Sequence, residues 1–65
     1  MNNTTIKVGV ADDHALFRKG MLAILRLFPV VETVGEAHDG ISVMQLVAAQ
    51  QPDVLLLDLV MPNST

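Results

Sequence analysis

Three aspartates at two separate places in the chain have the residue type and spacing to bind a divalent cation. Asp12 and Asp13 follow the apolar run from Ile6 to Ala11, and Asp58 lies inside the apolar run from Val54 to Leu59. If both runs are neighbouring parallel strands, their carboxyl ends lie at one edge of the sheet, where open α/β sheets place their ligands. Carboxylates held close together repel one another, and a divalent cation among them relieves the repulsion. The sequence therefore predicts a Mg²⁺ site.

These aspartates also have a structural explanation, which we weigh beside the functional one. An acidic residue before a helix caps free backbone amides and suits the helix dipole, which would account for Asp12 and Asp13. Asp58 is harder to explain in this way, because a carboxylate within a strand of Val and Leu is costly when it is buried and unpaired. We therefore favour a functional role for all three. His14 and His38 are each expected to be solvated or hydrogen-bonded turn residues and not metal ligands.

The elements that must position these residues follow from the apolar pattern. Apolar runs predict strands at Ile6 to Ala11, Val30 to Ala37 and Val54 to Leu59, and helical spacing predicts helices at Ala15 to Phe28 and Ile41 to Gln51. Pro29 and Pro52 are expected to stop the helices, and Asp39 to cap the second one. Because helical crossovers of this length join parallel strands, the chain is predicted to form an α/β fold, β-α-β-α-β, with a three-stranded parallel sheet.

Spacings of three and four residues give a predicted core face for each helix. The predicted core consists of Phe17, Met21, Ile24, Leu25 and Phe28 on the first helix, and of Val43, Met44, Val47 and Ala48 on the second. Leu16, Leu22 and Leu27 lie off the first stripe, and they are either ordinary exposed leucines or part of an interface. The strand Val54 to Leu59 is expected to expose an apolar edge if it is the last in the sheet.

The composition limits the classes of function. A chain of 65 residues supports one domain, and 51% apolar residues is more than so small a body can bury. We expect another part of a domain or a second copy of the chain, as a homodimer, to cover the excess. A net charge of −3 argues against nucleic-acid binding by this segment. No cysteine, signal peptide or membrane-spanning segment is recognisable, so we expect a soluble, cytoplasmic protein that does not associate with membranes.

The motifs Asp12-Asp13-His14-Ala-Leu-Phe-Arg18-Lys-Gly20 and Gln51-Pro52-Asp-Val-Leu-Leu-Leu-Asp58-Leu-Val-Met-Pro62 resemble the first half of a response-regulator receiver domain. The Asp-Asp-His-x-Leu-Phe-Arg pattern resembles the NarL/FixJ branch, whose receivers usually precede a LuxR-type helix-turn-helix domain. The resemblance covers residues 1–65 as a partial receiver without an output DNA-binding domain. It implies a flavodoxin-like fold and a phosphorelay protein of a two-component system that controls transcription and is not an enzyme.

By this resemblance Asp58 is the phosphoacceptor, which takes a phosphoryl group from a sensor histidine kinase. The resemblance also implies that Asp13 ligates Mg²⁺ directly, that Asp12 assists through water, and that Asp58 and the backbone carbonyl of Val60 complete the protein ligands. Receivers finish this site with a Ser or Thr after the fourth strand and a Lys after the fifth, and the sequence ends at Thr65, before either. We therefore expect impaired switching in this segment. The alternative is a self-associating or partner-binding fragment without phosphotransfer activity.

Overall fold

A computed structural model describes residues 5–58 of the chain. Its elements are β1 (Ile6–Asp12), α1 (Ala15–Leu25), β2 (Val31–Ala37), α2 (Gly40–Gln50) and β3 (Val54–Asp58). The three strands form one parallel sheet with the spatial order β2-β1-β3. The predicted α/β fold, with its β-α-β-α-β order and three-stranded parallel sheet, is confirmed.

The first helix is shorter than predicted. It ends at Leu25 rather than at Phe28, because the amides of Leu27 and Phe28 donate to carbonyl oxygens only three residues earlier, at 3.0 and 3.1 Å. Such bonds tighten the chain beyond α-helical geometry. Pro29 follows at once, and β2 begins at Val31, one residue later than predicted.

The remaining described boundaries match the prediction or differ from it by a single residue. β1 extends to Asp12, and α2 runs from Gly40 to Gln50. Gln51 ends that helix in the left-handed conformation, with φ of 48°, and its amide donates to the carbonyl of Val47. β3 ends the described part of the chain at Asp58, so the prediction for Leu59 lies outside the described residues.

The two helices cover opposite faces of the sheet. The first crossover leads from the central strand β1 to β2, and the second leads back from β2 past β1 to β3. Because the two crossovers run in opposite directions along the sheet, right-handed connections place α1 and α2 on different faces. Alternation along β1 agrees with this arrangement, because Ala11 packs with Ala37 and with Leu46 of α2. Val8 and Val10 are buried on the other face, which α1 covers.

Two glycines allow α2 to approach the sheet closely. A Cβ atom added at Gly35 would lie 2.5 Å from Cδ1 of Leu46, and one added at Gly9 would lie 3.0 Å from its Cδ2. A real Cβ atom essentially never comes as close as 2.5 Å to a neighbour, and a distance of 3.0 Å is tighter than most such contacts, so the missing side chains create the space that Leu46 fills. Val43 and Leu55 pack beside it.

The core face predicted for α2 is therefore wrong at most of its positions. Leu46, which the prediction omitted, is the buried residue of the helix, whereas Val43 is only half-buried. Met44, Val47 and Ala48 are exposed. Apolar residues occupy most of the circumference of α2, so their spacing alone does not identify the face that packs against Gly9 and Gly35.

The core stripe predicted for α1 is also wrong. Phe17, Ile24 and Phe28 are 63%, 57% and 51% exposed, and the other two members of the stripe are half-buried. Leu22, which lies off that stripe, is the buried residue of α1. Arg18, one helical turn before Leu22, lies on the same side and is largely covered, because it reaches the sheet edge described below.

β3 is an outer strand of the sheet, and among the described residues it pairs with β1 alone. Val54 and Leu57 are 43% and 60% exposed, which confirms the predicted apolar edge. Leu16 and Leu27 are exposed as well. Within residues 5–58, neither helix has the length and apolar character needed to cross a membrane.

Candidate functional site

The carboxyl edge of the sheet carries a pair of aspartates from the two ends of the sequence. Asp12 ends β1, Asp58 ends β3, and the two are register partners in the parallel pair. Both line an open cavity of about 270 Å³, together with Phe17 and Met21 of α1. The structure thus brings together the two aspartate positions that the parallel-sheet argument predicted to be close.

Asp12 is buried in an unusual way for a carboxylate. Its side chain is 1% exposed, and Oδ1 accepts a hydrogen bond of 2.7 Å from the backbone amide of His14. Oδ2 is buried too, and no group within residues 5–58 donates a hydrogen bond to it. Since a buried acceptor without a partner costs about 1–3 kcal/mol, such atoms are rare and call for an explanation. A cation bound in the cavity would supply the missing partner.

Asp13 and His14 lie beside the carboxylate of Asp12. Nδ1 of His14 is 3.1 Å from Oδ1 of Asp13 and 3.8 Å from Oδ1 of Asp12. One ligand atom from each of the three residues lies within 4.8 Å of the others. Two carboxylates are donors that small divalent cations accept, so the residues present fit such an ion. Asp58 lines the same cavity as Asp12 without belonging to this close group.

The alternative explanation, that Asp12 and Asp13 cap the first helix, is wrong. α1 begins after His14 and receives no side-chain capping hydrogen bond. The bond from the His14 amide to Asp12 instead closes a turn ahead of the helix.

The second strand-to-helix turn shows what a capping aspartate does. Oδ1 of Asp39 accepts from the amide of Ser42 at 2.8 Å, and Oγ of Ser42 accepts from the amide of Asp39 at 3.1 Å. This capping box confirms the role predicted for Asp39. The hydrogen bonds from the backbone and the side chain of Ser42 lower the pKa of Asp39. His38 next to it is 67% exposed, with Nε2 3.4 Å from Oδ2 of Asp39.

Arg18, for which the sequence analysis predicts no role beyond the family motif, links two strands at the carboxyl edge of the sheet. Its Nη1 donates to the backbone carbonyl of Asp12 at 2.8 Å, and its Nε donates to Oε1 of Glu36 in β2 at 2.6 Å. Nζ of Lys19 lies 3.2 Å from Oε2 of Glu36. The hydrogen bond from Arg18, and then that from Lys19, lower the pKa of Glu36. Arg18 therefore connects the ends of β1 and β2 and fixes the backbone from which Asp12 projects.

A signal for Arg18 was present in the sequence, because it lies four residues before Leu22 and shares its helix face. Its partner Glu36 could not be inferred from spacing. Val60, predicted to offer a backbone carbonyl to the metal, lies outside the described residues.

Comparison with known proteins assigns this architecture to a family. The family model described as the response regulator receiver domain matches residues 8–65. The probable transcriptional regulatory protein NarL of Mycobacterium tuberculosis is 49% identical over 58 residues, which cover 89% of this chain and 27% of that protein. A protein-glutamate methylesterase/protein-glutamine glutaminase 2 of Koribacter versatilis is 43% identical over 63 residues, covering 97% of this chain and 17% of that protein. The chain thus spans about a quarter, or less, of the length of these relatives.

Solved structures show the same fold. The signal receiver domain of the putative response regulator NarL from Mycobacterium tuberculosis superposes with a TM-score of 0.83 at 47% identity, covering 92% of this chain and 48% of that one. RcsB from Salmonella enterica serovar Typhimurium, bound to promoter rprA in the presence of the phosphomimetic BeF3⁻, gives a TM-score of 0.83 at 30% identity, with coverage of 91% and 29%. The predicted flavodoxin-like receiver architecture is confirmed by these neighbours.

Proposed function

This chain belongs to the response-regulator receiver domain family, and on that premise we propose that Asp58 accepts a phosphoryl group from a sensor histidine kinase. The observation that carries the proposal is the register pairing of Asp58 with the buried Asp12 at one cavity on the carboxyl edge of the sheet. Asp58 is exposed and able to meet a donor, whereas Asp12 is buried and able to hold a cation beside it.

The proposed reaction is a transfer between two nucleophiles. A carboxylate oxygen of Asp58 attacks the phosphorus atom, and a new O–P bond forms while the N–P bond to the donor histidine breaks. The imidazole leaves with the electron pair and takes up a proton from water. The attacking carboxylate and the phosphoryl oxygens are both negative, so the transfer needs positive charge at the cavity. Mg²⁺ is the group that would supply it and align the reacting atoms.

We propose that Asp13 ligates this Mg²⁺ directly, that Asp12 assists through water, and that Asp58 and the backbone carbonyl of Val60 complete the ligands. The orphan oxygen of Asp12 and the closeness of Asp13 support this assignment. Arg18 acts as a positioning residue, because it holds the backbone of Asp12 without reaching the cavity oxygens by any described bond.

We propose that the regulatory effect of phosphorylation is exerted by a different domain from this receiver segment. NarL is named as a transcriptional regulatory protein, and the RcsB structure contains a promoter. We propose that a protein carrying this receiver regulates transcription through a separate DNA-binding domain, since the net charge of −3 gives the segment itself no affinity for a polyanion. Family membership favours the phosphoacceptor role over the self-associating alternative. Homodimer formation through the exposed apolar residues stays a prediction.

The test is chemical phosphorylation of the 65-residue chain. Incubation with acetyl phosphate and Mg²⁺, followed by intact-mass measurement, is expected to add one phosphoryl group to the unmodified sequence and none to Asp58→Asn. Asp53→Asn is the matched control, because Asp53 lies just before the other end of β3, where its carboxylate accepts a hydrogen bond of 2.9 Å from the amide of Lys7. An adduct that persists in Asp58→Asn, or that never forms in the unmodified chain, would overturn the proposal.

A further inference from the structure

We propose that His14 adds a nitrogen ligand to the cation site when a first-row transition dication, such as Zn²⁺, occupies it, and that the site therefore binds such an ion more tightly than Mg²⁺. The inference rests on the proposed cation site at Asp12 and Asp13. It goes beyond that site because it assigns a nitrogen donor to a centre that otherwise offers only oxygen.

The positions of the three side chains support a shared cation. Zn²⁺ lies about 2.0–2.2 Å from nitrogen and oxygen ligands, so two ligands at adjacent positions around it are roughly 3 Å apart. Nδ1 of His14 and Oδ1 of Asp13 are 3.1 Å apart, which matches adjacent positions. The second observation is Oδ2 of Asp12, a buried acceptor to which no described group donates and to which a bound cation would supply a partner.

The ring of His14 is held on the side of the carboxylates. Its centroid lies 5.7 Å from that of Phe17, at an interplanar angle of 62°, which is the edge-to-face arrangement that aromatic rings prefer. Phe17 also lines the cavity that contains Asp12 and Asp58. The backbone amide of His14 donates to Oδ1 of Asp12, so the backbone and the ring of His14 both contact residues that line the cavity. The imidazole itself is 64% exposed and open to an ion from solvent.

The donor set determines which cation is favoured. Mg²⁺ takes oxygen ligands and gives up its water reluctantly, whereas imidazole suits zinc, copper, nickel and iron. Two carboxylates and one imidazole therefore form a mixed site that transition dications prefer. A transition dication bound there would compete with the Mg²⁺ required by the proposed phosphotransfer.

The chain contains a matched histidine at the other strand-to-helix turn. His38 is as exposed as His14 and has one carboxylate beside it, that of Asp39. Oδ1 of Asp39 is already occupied by the amide and the hydroxyl of Ser42. Among the described residues His38 belongs to no group of three potential ligands, so it reports the affinity of an ordinary surface histidine for the same cation.

Calorimetric titration of the 65-residue chain with Zn²⁺ and separately with Mg²⁺ at neutral pH tests the inference. We expect Zn²⁺ to bind the unmodified chain at least about tenfold more tightly than Mg²⁺, and His14→Gln to weaken Zn²⁺ binding by roughly tenfold while leaving Mg²⁺ binding within about twofold. His38→Gln is expected to change neither affinity. Nitrogen-15 NMR provides a readout independent of affinity, because Zn²⁺ should shift Nδ1 of His14 and leave His38 unmoved.

The variants separate this inference from the proposed function. If Asp13→Asn weakens both cations while His14→Gln alters neither, the histidine is not a ligand and the carboxylate site stands. If His38→Gln lowers the Zn²⁺ affinity as much as His14→Gln does, the binding is that of exposed imidazoles and the inference is overturned. If neither cation binds the unmodified chain, the inference fails together with the proposed Mg²⁺ site. Circular dichroism of each variant verifies that the exposed substitutions leave the fold intact.

Discussion

The two strand-to-helix turns at the carboxyl edge of the sheet use the same residue types for different purposes. One turn, Asp12-Asp13-His14, leads from β1 into α1, and the other, His38-Asp39, leads from β2 into α2. In the second turn the carboxylate of Asp39 is engaged by Ser42 in a capping box. In the first turn α1 has no side-chain cap, and one oxygen of the buried Asp12 lacks a partner within residues 5–58.

We interpret this difference as that between a structural carboxylate, Asp39, and a carboxylate for which we propose a functional role, Asp12. Asp39 satisfies backbone amides that would otherwise be free at the start of α2, which stabilises the fold. Oδ2 of Asp12 is a buried acceptor with no described donor, and because an unpaired buried acceptor costs free energy, a cation bound there would stabilise the fold. Proteins retain energetically unfavourable residues mainly at functional sites, and a buried carboxylate such as that of Asp12 is such a residue.

The largest expected effect concerns cation binding at the first turn. Asp12→Asn should weaken Mg²⁺ binding by more than about tenfold, because it removes the charge of the buried carboxylate, while Asp39→Asn should leave the affinity unchanged. Thermal unfolding with and without Mg²⁺ measures this. At a free concentration ten times the Kd of the unmodified chain, that chain should gain about 1.4 kcal/mol, and Asp12→Asn should gain less than about 0.4 kcal/mol. An equal Mg²⁺ effect on both variants would remove the distinction between the turns.

A smaller effect is expected from the residue that anchors the first turn. Arg18→Gln loses the charged hydrogen bonds to Glu36 and to the carbonyl of Asp12, and should lower the free energy of unfolding by about 1 kcal/mol. Because the backbone of Asp12 is then less well fixed, Mg²⁺ affinity should fall as well. Lys19→Gln is the control, since Lys19 is 65% exposed and its described hydrogen bonds and ion pair all go to the same glutamate. Chemical denaturation of both variants gives the comparison, and equal losses would show that Arg18 has no special role.

Because only the second turn contains a capping side chain, replacing that side chain by alanine should lower thermal stability more than the corresponding replacement in the first turn. Asp39→Ala removes the capping box and should lower the midpoint of thermal unfolding by roughly a few degrees. His14→Ala in Mg²⁺-free buffer should change the midpoint less, because the His14 side chain does not cap α1. Circular dichroism at the helical wavelength follows both. A greater loss in His14→Ala would contradict the assignment of the two turns.

The smallest expected effect is the fall in the free energy of unfolding at acidic pH. The pKa of Glu36 lies below its ordinary value of 4.5, and the pKa of Asp39 lies below its ordinary value of 3.8, because both carboxylates accept hydrogen bonds. Their stabilising contributions are therefore complete above those ordinary values and are lost as the pH falls through the lowered ones. Glu36 is about one third exposed, so its share should stay below about 1 kcal/mol. In Arg18→Gln, denaturation between neutral pH and pH 3 should show a shallower decline.

The sequence predicted the architecture and the location of the site better than the packing of the helices. Apolar runs and prolines defined the strands, and the parallel-sheet rule brought Asp12 and Asp58 to one edge although they are distant in the chain. The burial of Leu22 and Leu46 was missed. Both helices carry apolar residues around most of their circumference, so periodicity does not determine which face is buried. The buried face of α2 is determined by the space that Gly9 and Gly35 leave for Leu46, and that of α1 by the hydrogen bonds of Arg18 to the sheet. Both are properties of the assembled sheet.

The ion pair between Arg18 and Glu36 was missed for a related reason. Its partners lie on α1 and β2, and neither hydrophobic periodicity nor motif spacing specifies which charged groups meet across elements. The orphan oxygen of Asp12 was equally out of reach, since the burial of a single atom emerges only from the packed structure.

The most direct test of the account follows two backbone amides by NMR while Mg²⁺ is added. The amide of His14 donates to Oδ1 of Asp12, and the amide of Ser42 donates to Oδ1 of Asp39, so each reports on one of the two carboxylates. We predict a saturable shift of the His14 amide that disappears in Asp13→Asn, with the Ser42 amide unmoved. A His14 amide that ignores Mg²⁺, or two amides that shift alike, would contradict the claim that the first turn is a cation site and the second a helix cap.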